Sequence, residues 1–490
     1  MNSVDLGMFN TAYTTTYFLI SILNILFAVG VVFVERRNIG STWAWLVILF
    51  FLPGLGFIIY LFFGQNLSKR KRYKVKGRQL KQIVEMIESQ KYDIQHNLLE
   101  YKHTEISNYQ DLIYMNLISD HAYLSQENEI EVFTIGDNKF DSLLRDIEHA
   151  EHHIHLMYYI IRNDRLGNRL LSLLTKKAQE GVKVRFLYDD IGNVRLNRRF
   201  FKPLIDAGGH AVAFFPSRIP YMNFRLNFRN HRKLAIIDGK CGYIGGFNIG
   251  DEYLGLDPQY GYWRDTHIKI KGDSVFQMQA LFLLDWYLVS EIEIPYDPMY
   301  FPVNSIEGNV AVQIVSSGPN DNTEQIRNAL IKMINSAKHS IYVQTPYFVP
   351  DESLLNALEI AALSGVDVRL MLPGNPDKRI MYWATFSYLG ELLNVGVKIY
   401  LYKKGFLHAK TIVVDGTICS VGTTNIDIRS FKLNFEVNAL VYNTNTATLL
   451  KEIFESDIYD SEELTLELYN NRSLLQRFVE SLTRLFSPVL

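Results

Sequence analysis

His231-Arg-Lys-Leu-Ala-Ile-Ile-Asp-Gly239 returns 177 residues later as His408-Ala-Lys-Thr-Ile-Val-Val-Asp-Gly416. Both copies read His-x-Lys-x4-Asp. Both run on to a small-residue turn closed by Asn, Gly245-Gly-Phe-Asn248 in the first and Gly422-Thr-Thr-Asn425 in the second. His, Lys, Asp, Gly and Asn all recur at that one offset, which identifies a duplicated half rather than a chance match.

The residue types set the chemistry. Leu-Ala-Ile-Ile and Thr-Ile-Val-Val are apolar runs of the kind that fill a buried strand, and Asp-Gly then turns the chain. If the backbone from Arg232 to Ile237 is extended, positions i and i+2 share a face, so His231 and Lys233 point the same way. The same holds for His408 and Lys410. Two ammonium groups can hold the non-bridging oxygens of a phosphodiester, helped by the amides of Asn248 and Asn425. One imidazole attacks phosphorus while the other protonates the leaving oxygen, which gives a covalent phosphohistidine and a two-step reaction. The symmetry of the copies leaves open which imidazole does which. With two Lys, two Asn and an imidazolium to neutralise charge, no metal and no cofactor is required. Asp238 and Asp415, at strand ends before Gly, are expected to brace the motif rather than touch substrate.

The flanks carry a resemblance. Asn227-Phe-Arg-Asn-His231, Gly245-Gly-Phe-Asn-Ile-Gly-Asp-Glu-Tyr253, Trp263-Arg-Asp-Thr-His267, Gly405-Phe-Leu-His-Ala-Lys410 and Gly422-Thr-Thr-Asn-Ile-Asp-Ile-Arg-Ser-Phe431, followed by Asn434-Phe-Glu436, resemble bacterial cardiolipin synthases of the phospholipase D superfamily. The resemblance implies His231 as nucleophile and His408 as the acid that then becomes the base. It implies Asp265 and Glu436 as carboxylates that each orient the imidazole of the opposite half and favour its charged form. One departure stands out. The superfamily often has a hydroxyl where this chain has Gly246, whereas the second copy keeps Thr423, so the two phosphate cradles are expected to be unequal. Arg225, Arg229 and Arg429 are candidate headgroup contacts.

Between the motifs, Ile154–Ile161 and Val182–Leu187 read as strands around a helix at 167–180. The order repeats as helix 324–337, strand Ile341–Phe348, helix 352–364 and strand Val366–Leu372. The expected fold is α/β, with two tandem phospholipase-D-like α-β-α sandwich halves related by a pseudo-two-fold. Each half is expected to hold a largely parallel sheet. The halves fall at 126–300 (motif 225–252) and 301–490 (motif 402–429). A basic, helical connector at 67–125 precedes them.

The N-terminus reads as a transmembrane hairpin over 1–66. Two uncharged runs, about 13–34 and 42–63, are each long enough for a bilayer, which takes roughly 20 apolar residues. Glu35-Arg-Arg-Asn38 is the turn between them, and Pro53-Gly-Leu-Gly56 should kink or break the second run. A re-entrant hairpin that does not cross is the alternative. The first 12 residues carry no Lys or Arg and a second run follows, which argues against a cleaved leader. Lys69, Arg70, Lys71, Arg72, Lys74, Lys76, Arg78 and Lys81 follow the second run. They place that end, and the catalytic halves, in the cytoplasm, and they suit anionic membrane lipids.

Composition agrees with a lipid-handling protein. The chain has 490 residues, 48% of them hydrophobic, with 30 Phe, 29 Tyr and a net charge of −2. Two cysteines, Cys241 and Cys419, exclude a disulfide framework. No G-x-G-x-x-G or P-loop opens a helix, so nucleotide use is not indicated. His152-His-x-His155 invites a metal, but the matching Lys338-His-Ser-Ile-Tyr342 lacks two of the ligands. Asp189-Asp190 suits a turn or a pocket lining. The amphipathic stretch Leu474–Phe486, with Arg472, Arg477 and Arg484, is expected to pack on the catalytic body, with the membrane surface as the alternative.

The expected activity is transfer of a phosphatidyl group between two phosphatidylglycerol molecules, giving cardiolipin and glycerol. Hydrolysis of the same intermediate, to phosphatidic acid, is the runner-up. A nuclease would show a basic, aromatic-lined groove rather than two apolar runs, so no nucleic acid is expected. Intact motifs in both copies argue against a scaffold. Oligomeric state is not legible.

Overall fold

The computed structural model describes residues 3–34, 39–52, 54–63, 78–197, 199–216, 227–290, 292, 294–295, 297–303, 306–321 and 323–487. Arg36 and Arg37, Pro53, the basic residues from Lys69 to Lys76, Arg225, and the side chains of Arg78 and Lys81 lie outside the described residues.

The N-terminal segment begins with the helix Ser3–Val34. Among the described residues only its stretch Thr14–Phe33 is long and apolar enough to cross a bilayer. The second apolar run is divided into Ile39–Phe51 and Leu55–Phe63, of 13 and 9 residues. At the break Gly54 has a φ of +81°, a conformation glycine adopts without strain. The helices hold one another through rings. Phe27 meets Phe57 and Tyr60 edge-on at 4.6 and 5.0 Å, and Asn24 Nδ2 donates to the Leu49 carbonyl at 2.7 Å. Side-chain packing and such polar contacts are what associate helices where lipid removes the hydrophobic drive.

The catalytic body contains two matching sheets. In the first the strands lie in the order Asn128–Phe133, His267–Gly272, Cys241–Gly245, Leu234–Ile237, His153–Tyr158, Lys183–Asp189, His210–Phe214. The second repeats it as Ala311–Ser317, Asn434–Tyr442, Ile418–Gly422, Thr411–Val414, Ser340–Gln344, Asp367–Pro373, Lys398–Tyr402, with Ser461–Glu463 added at the edge. The sheets are mixed rather than largely parallel. Only the last three strands of the matched order run parallel, because helical crossovers join them. The motif strands are joined by a tight hairpin and must pair antiparallel.

Helices cover both faces. In the first half Met278, on the helix Ser274–Ser290, fills the space over Gly242. The next residue, Tyr243, points the other way and hydrogen-bonds Ser142 of the helix Gly136–Glu148. In the second half Ile341 and Val343 share a core with Ala329 and Met333 of Gln325–Ser336, while Tyr342 between them stacks on Phe454 of Thr444–Ile458.

Three details differ from the sequence reading. The strand expected at Ile154–Ile161 is His153–Tyr158. The one expected at Ile341–Phe348 ends at Gln344, before Pro346, and Phe348–Val349 pairs separately with Ile426–Asp427. Finally, the helices Arg78–Gln95 and Gln110–Asp120 are more than a connector. Ile87, Ile94, Leu112, Ile113 and Leu117 join the core of the second half, where Gln313 donates to the Ile113 and Ala122 carbonyls at 3.1 and 2.6 Å.

Candidate active site

Each motif Asp closes a turn. Asp238 and Gly239 have φ of +54° and +65°, and Asp415 and Gly416 have +53° and +64°, the double positive φ of a tight hairpin. The Asp238 carboxylate accepts the backbone N–H groups of Glu151, His152 and His153 at 2.8–2.9 Å. Asp415 does the same for Lys338, His339 and Ser340 at 2.7–2.8 Å. Both carboxylates thus tie the hairpin to the start of the central parallel strand, at the end remote from the histidines.

At the other end the two halves exchange backbone. Arg229–Asn230 pairs in parallel with Asn434–Phe435, and Gly405–Leu407 with Tyr262–Arg264. The His231 N–H donates to the Phe435 carbonyl at 2.9 Å and the His408 N–H to the Arg264 carbonyl at 2.7 Å. The next residue in each partner strand is a carboxylate. Glu436 Oε1 lies 2.9 Å from His231 Nδ1, and Asp265 Oδ2 lies 2.6 Å from His408 Nδ1. Each imidazole is therefore oriented by the opposite half through Nδ1, which leaves Nε2 for chemistry. The regular strands begin just after Lys233 and Lys410. Each Nζ turns back onto the carbonyl of its own His, at 2.7 and 2.5 Å.

Burial dominates the electrostatics. It pushes His231 down to about 4 against the pull of Glu436. It pushes His408, with help from Lys410, down to about 3. Lys233 falls to about 7 and Lys410 to about 8 for the same reason, the other ammonium adding to the effect on Lys233. Burial also opposes charge on Asp265 and Glu436, yet the imidazole and lysine beside each hold both carboxyls below their usual range. Each pair is thus a neutral ring donating Nδ1–H to a carboxylate. Imidazolium, expected from the carboxylates alone, is outweighed by burial.

The amide and hydroxyl positions are unequal. Asn248 Oδ1 accepts the Ile160 N–H at 3.1 Å and its Nδ2 donates to Tyr253 Oη at 3.2 Å. Asn425 is buried and its Oδ1 has no hydrogen-bond partner among the described residues. Thr423 Oγ1 donates to Glu436 Oε2 at 2.6 Å, so its hydroxyl serves the carboxylate rather than enlarging a phosphate cradle. At Gly246 a Cβ would overlap Asp265 Oδ1. The Gly/Thr departure is therefore a difference in how the two carboxylates are seated.

Several residues escaped the sequence reading. The Tyr159 ring sits 4.9 Å from His231 and 5.5 Å from Lys233 Nζ. Trp263, part of a flank that carries the family resemblance, lies 5.2 Å from the His408 ring. Buried Arg232 pairs with Asp285 at 2.5 Å and donates to the Glu436 carbonyl at 3.0 Å. Asp189, expected in a turn or a pocket lining, accepts the N–H groups of Ile191 and Gly192 in its turn and that of Asn230, bracing the approach to His231. The only signals were aromatics at strand ends and an Arg inside the motif. His153 and His155 share Gln279, Arg185 donates to His155, and His152 meets Asp297. Cys241 and Cys419 are buried, and burial raises both thiols.

Two sandwiches sharing backbone at paired histidines define a phospholipase-D-type site. A family model described as "Cardiolipin synthase, PLD-like domain" matches residues 143–272 and 330–458. One described as "Phospholipase_D-nuclease N-terminal" matches 22–65. The chain is similar to the cardiolipin synthase of Listeria welshimeri, 52% identical over 470 residues, 96% of this chain and 98% of that protein. It is also similar to the major cardiolipin synthase ClsA of Bacillus subtilis, 51% identical over the same shares of each chain. Among solved structures it is similar to phosphatidylserine synthase of Haemophilus influenzae Rd KW20. The TM-score is 0.61 at 15% identity, over 79% of this chain and 100% of that one, a likeness of fold alone. The chain belongs to the cardiolipin synthase family of the phospholipase D superfamily.

Proposed function

We propose that this chain is a membrane-bound phosphatidyltransferase that makes cardiolipin and glycerol from two phosphatidylglycerol molecules. The observation that carries the mechanism is the crossed orientation of the two imidazoles by Asp265 and Glu436. Neutral His231, its Nδ1–H committed to Glu436, attacks phosphorus through Nε2. A P–N bond forms, the bond to the terminal glycerol oxygen breaks, and His408 gives that oxygen its proton. Burial and then the lysines depress His408; a phosphodiester anion between Lys233 and Lys410 offsets the lysine part, which raises the ring toward the protonated form this step needs. The primary hydroxyl of the second phosphatidylglycerol then attacks. Its proton goes to His408, the P–N bond breaks and cardiolipin leaves.

Lys233 and Lys410, with Asn425 and Asn248, take the growing oxygen charge. Thr423, Asp265 and Glu436 position the rings, and Asp238 and Asp415 hold the hairpins. Arg229 and Arg429, one from each half and both within the electrostatic surroundings of Tyr159, would meet a second lipid headgroup. The chain is divided into hairpin 1–66, halves 126–300 and 301–490, and a basic stretch from residue 67 whose helices up to Asp120 complete the core of the second half. The hairpin crosses the membrane twice, with the catalytic halves on the cytoplasmic side and anionic lipid against the basic connector.

The test uses purified protein, mixed micelles and headgroup-labelled phosphatidylglycerol with EDTA present. Cardiolipin and free glycerol in equal amounts are expected. Phosphatidic acid as sole product would make the chain a hydrolase, and no product until divalent metal is restored would overturn the metal-free mechanism.

A further inference from the structure

The helix Leu474–Arg484 and the turn after it pack on the helix Arg379–Asn394 the wrong way round for a soluble protein. At about 100° per residue, Leu474, Leu475, Phe478, Leu482, Leu485 and Phe486 fall within one arc roughly 120° wide. All six are exposed, by 46–82%. The opposite, polar arc is the buried one. Glu480, Thr483 and Ser487 are at most 7% exposed. Glu480 pairs with Arg472 at 2.7 Å, Ser487 receives the Tyr388 hydroxyl at 2.9 Å, and Arg484 pairs with Glu391 at 2.5 Å. Polar anchoring that turns six large apolar side chains outward is costly in water, so this face needs an apolar occupant.

We infer that this face docks on the bilayer and seats the mouth of the active site against the lipid surface. The choice of a bilayer rests on the lipid-transfer reading above and on two observations. Arg477, exposed at the border of the apolar arc, suits anionic headgroups. The helix beneath is tied to the site: just before it Asp377 accepts the Tyr347 hydroxyl at 2.5 Å, and Asp377 lies within the electrostatic surroundings of Lys410. Within it Thr385 Oγ1 accepts the Phe348 N–H at 3.2 Å. Lipid met at the apolar face is thus met beside the rim of the site.

The test uses the full chain in proteoliposomes. Because Cys241 and Cys419 are buried, a nitrobenzoxadiazole dye on Phe478→Cys reports this face alone. Its emission is expected to shift blue and to be quenched by lipids carrying a nitroxide on the acyl chain. A blue shift without quenching, or a disulfide between two copies through Cys at that position, means that protein covers the face and overturns the inference. In parallel, Leu475→Glu with Phe478→Glu is expected to lower turnover of long-chain phosphatidylglycerol in bilayers by about tenfold or more, the loss of roughly one buried side chain's worth of transfer energy or greater. Turnover of monomeric short-chain phosphatidylglycerol should stay near the parent's. Equal turnover in bilayers would overturn the inference. Turnover of short-chain substrate by the parent tests the lipid-transfer reading separately: no cardiolipin there sinks that reading and leaves the quenching to decide the surface.

Discussion

The two halves orient their histidines with unlike carboxylates, and the contrast locates the asymmetry of a duplicated site. In the first half Gly246 leaves room for the short Asp265, whose other oxygen accepts the Thr266 N–H at 2.7 Å. In the second, the longer Glu436 is held by side chains, Thr423 Oγ1 at 2.6 Å and Asn434 Nδ2 at 3.1 Å. The backbone scaffold is symmetric, down to the turn dihedrals, while the packing behind each imidazole is not. A duplicated fold can therefore hold one ring as nucleophile and the other as acid.

The largest effect should come from the rings themselves. His231→Ala and His408→Ala are each expected to lower transfer by roughly 10⁴-fold or more. A donor with a good leaving group, such as a p-nitrophenyl phosphodiester, separates the roles. It should restore the first step in His408→Ala, which has lost only an acid, and leave His231→Ala dead. Rescue of His231→Ala instead would reverse the assignment.

Seating comes next. Gly246→Thr alone drives a side chain into Asp265 and is expected to cost about 10²-fold in kcat or more, as misplaced catalytic groups do. Adding Asp265→Glu transplants the second half's pair and should recover part of the loss. A double variant no better than the single would show that the pairs are not exchangeable. Removing only the hydroxyl, in Thr423→Val, should cost roughly tenfold in kcat, about one hydrogen bond to a charged group. Because the same hydroxyl accepts the buried Val437 N–H at 3.0 Å, the melting temperature should fall as well.

The smallest effect is a matter of pH. In the proposed mechanism charged Lys233 and Lys410 bind the phosphodiester, and burial lowers them to about 7 and 8. The affinity for a non-reactive phosphodiester should therefore fall as pH rises through that range, well before ordinary lysines titrate. His231 must be neutral to attack and is held near 4, so the acid limb of kcat/KM should lie near there, below the ordinary histidine range. A flat profile to pH 10 would mean that neither lysine is buried as described.

Much was legible from spacing. The repeat located both motifs, and apolar runs flanked by Gly placed most strands and helices within a few residues. Strand–helix–strand order overestimates the parallel sheet because it does not extend to the hairpin-joined strands. The helices at 78–120 look like a connector in sequence because their scattered Leu and Ile do not announce which core they enter.

The sequence by itself determined a duplicated two-half catalytic body with a His, Lys, Asp and Asn in each copy, since identical offsets and residue chemistry are local properties of the chain. Only tertiary structure decided how each carboxylate is seated behind its ring, that Thr423 serves Glu436, that Tyr159 and Arg232 border the chemistry, and that the C-terminal helix turns its apolar face outward. Those facts depend on contacts between segments as far apart as His231 and Glu436, where burial and packing across the two halves, not spacing, set the geometry.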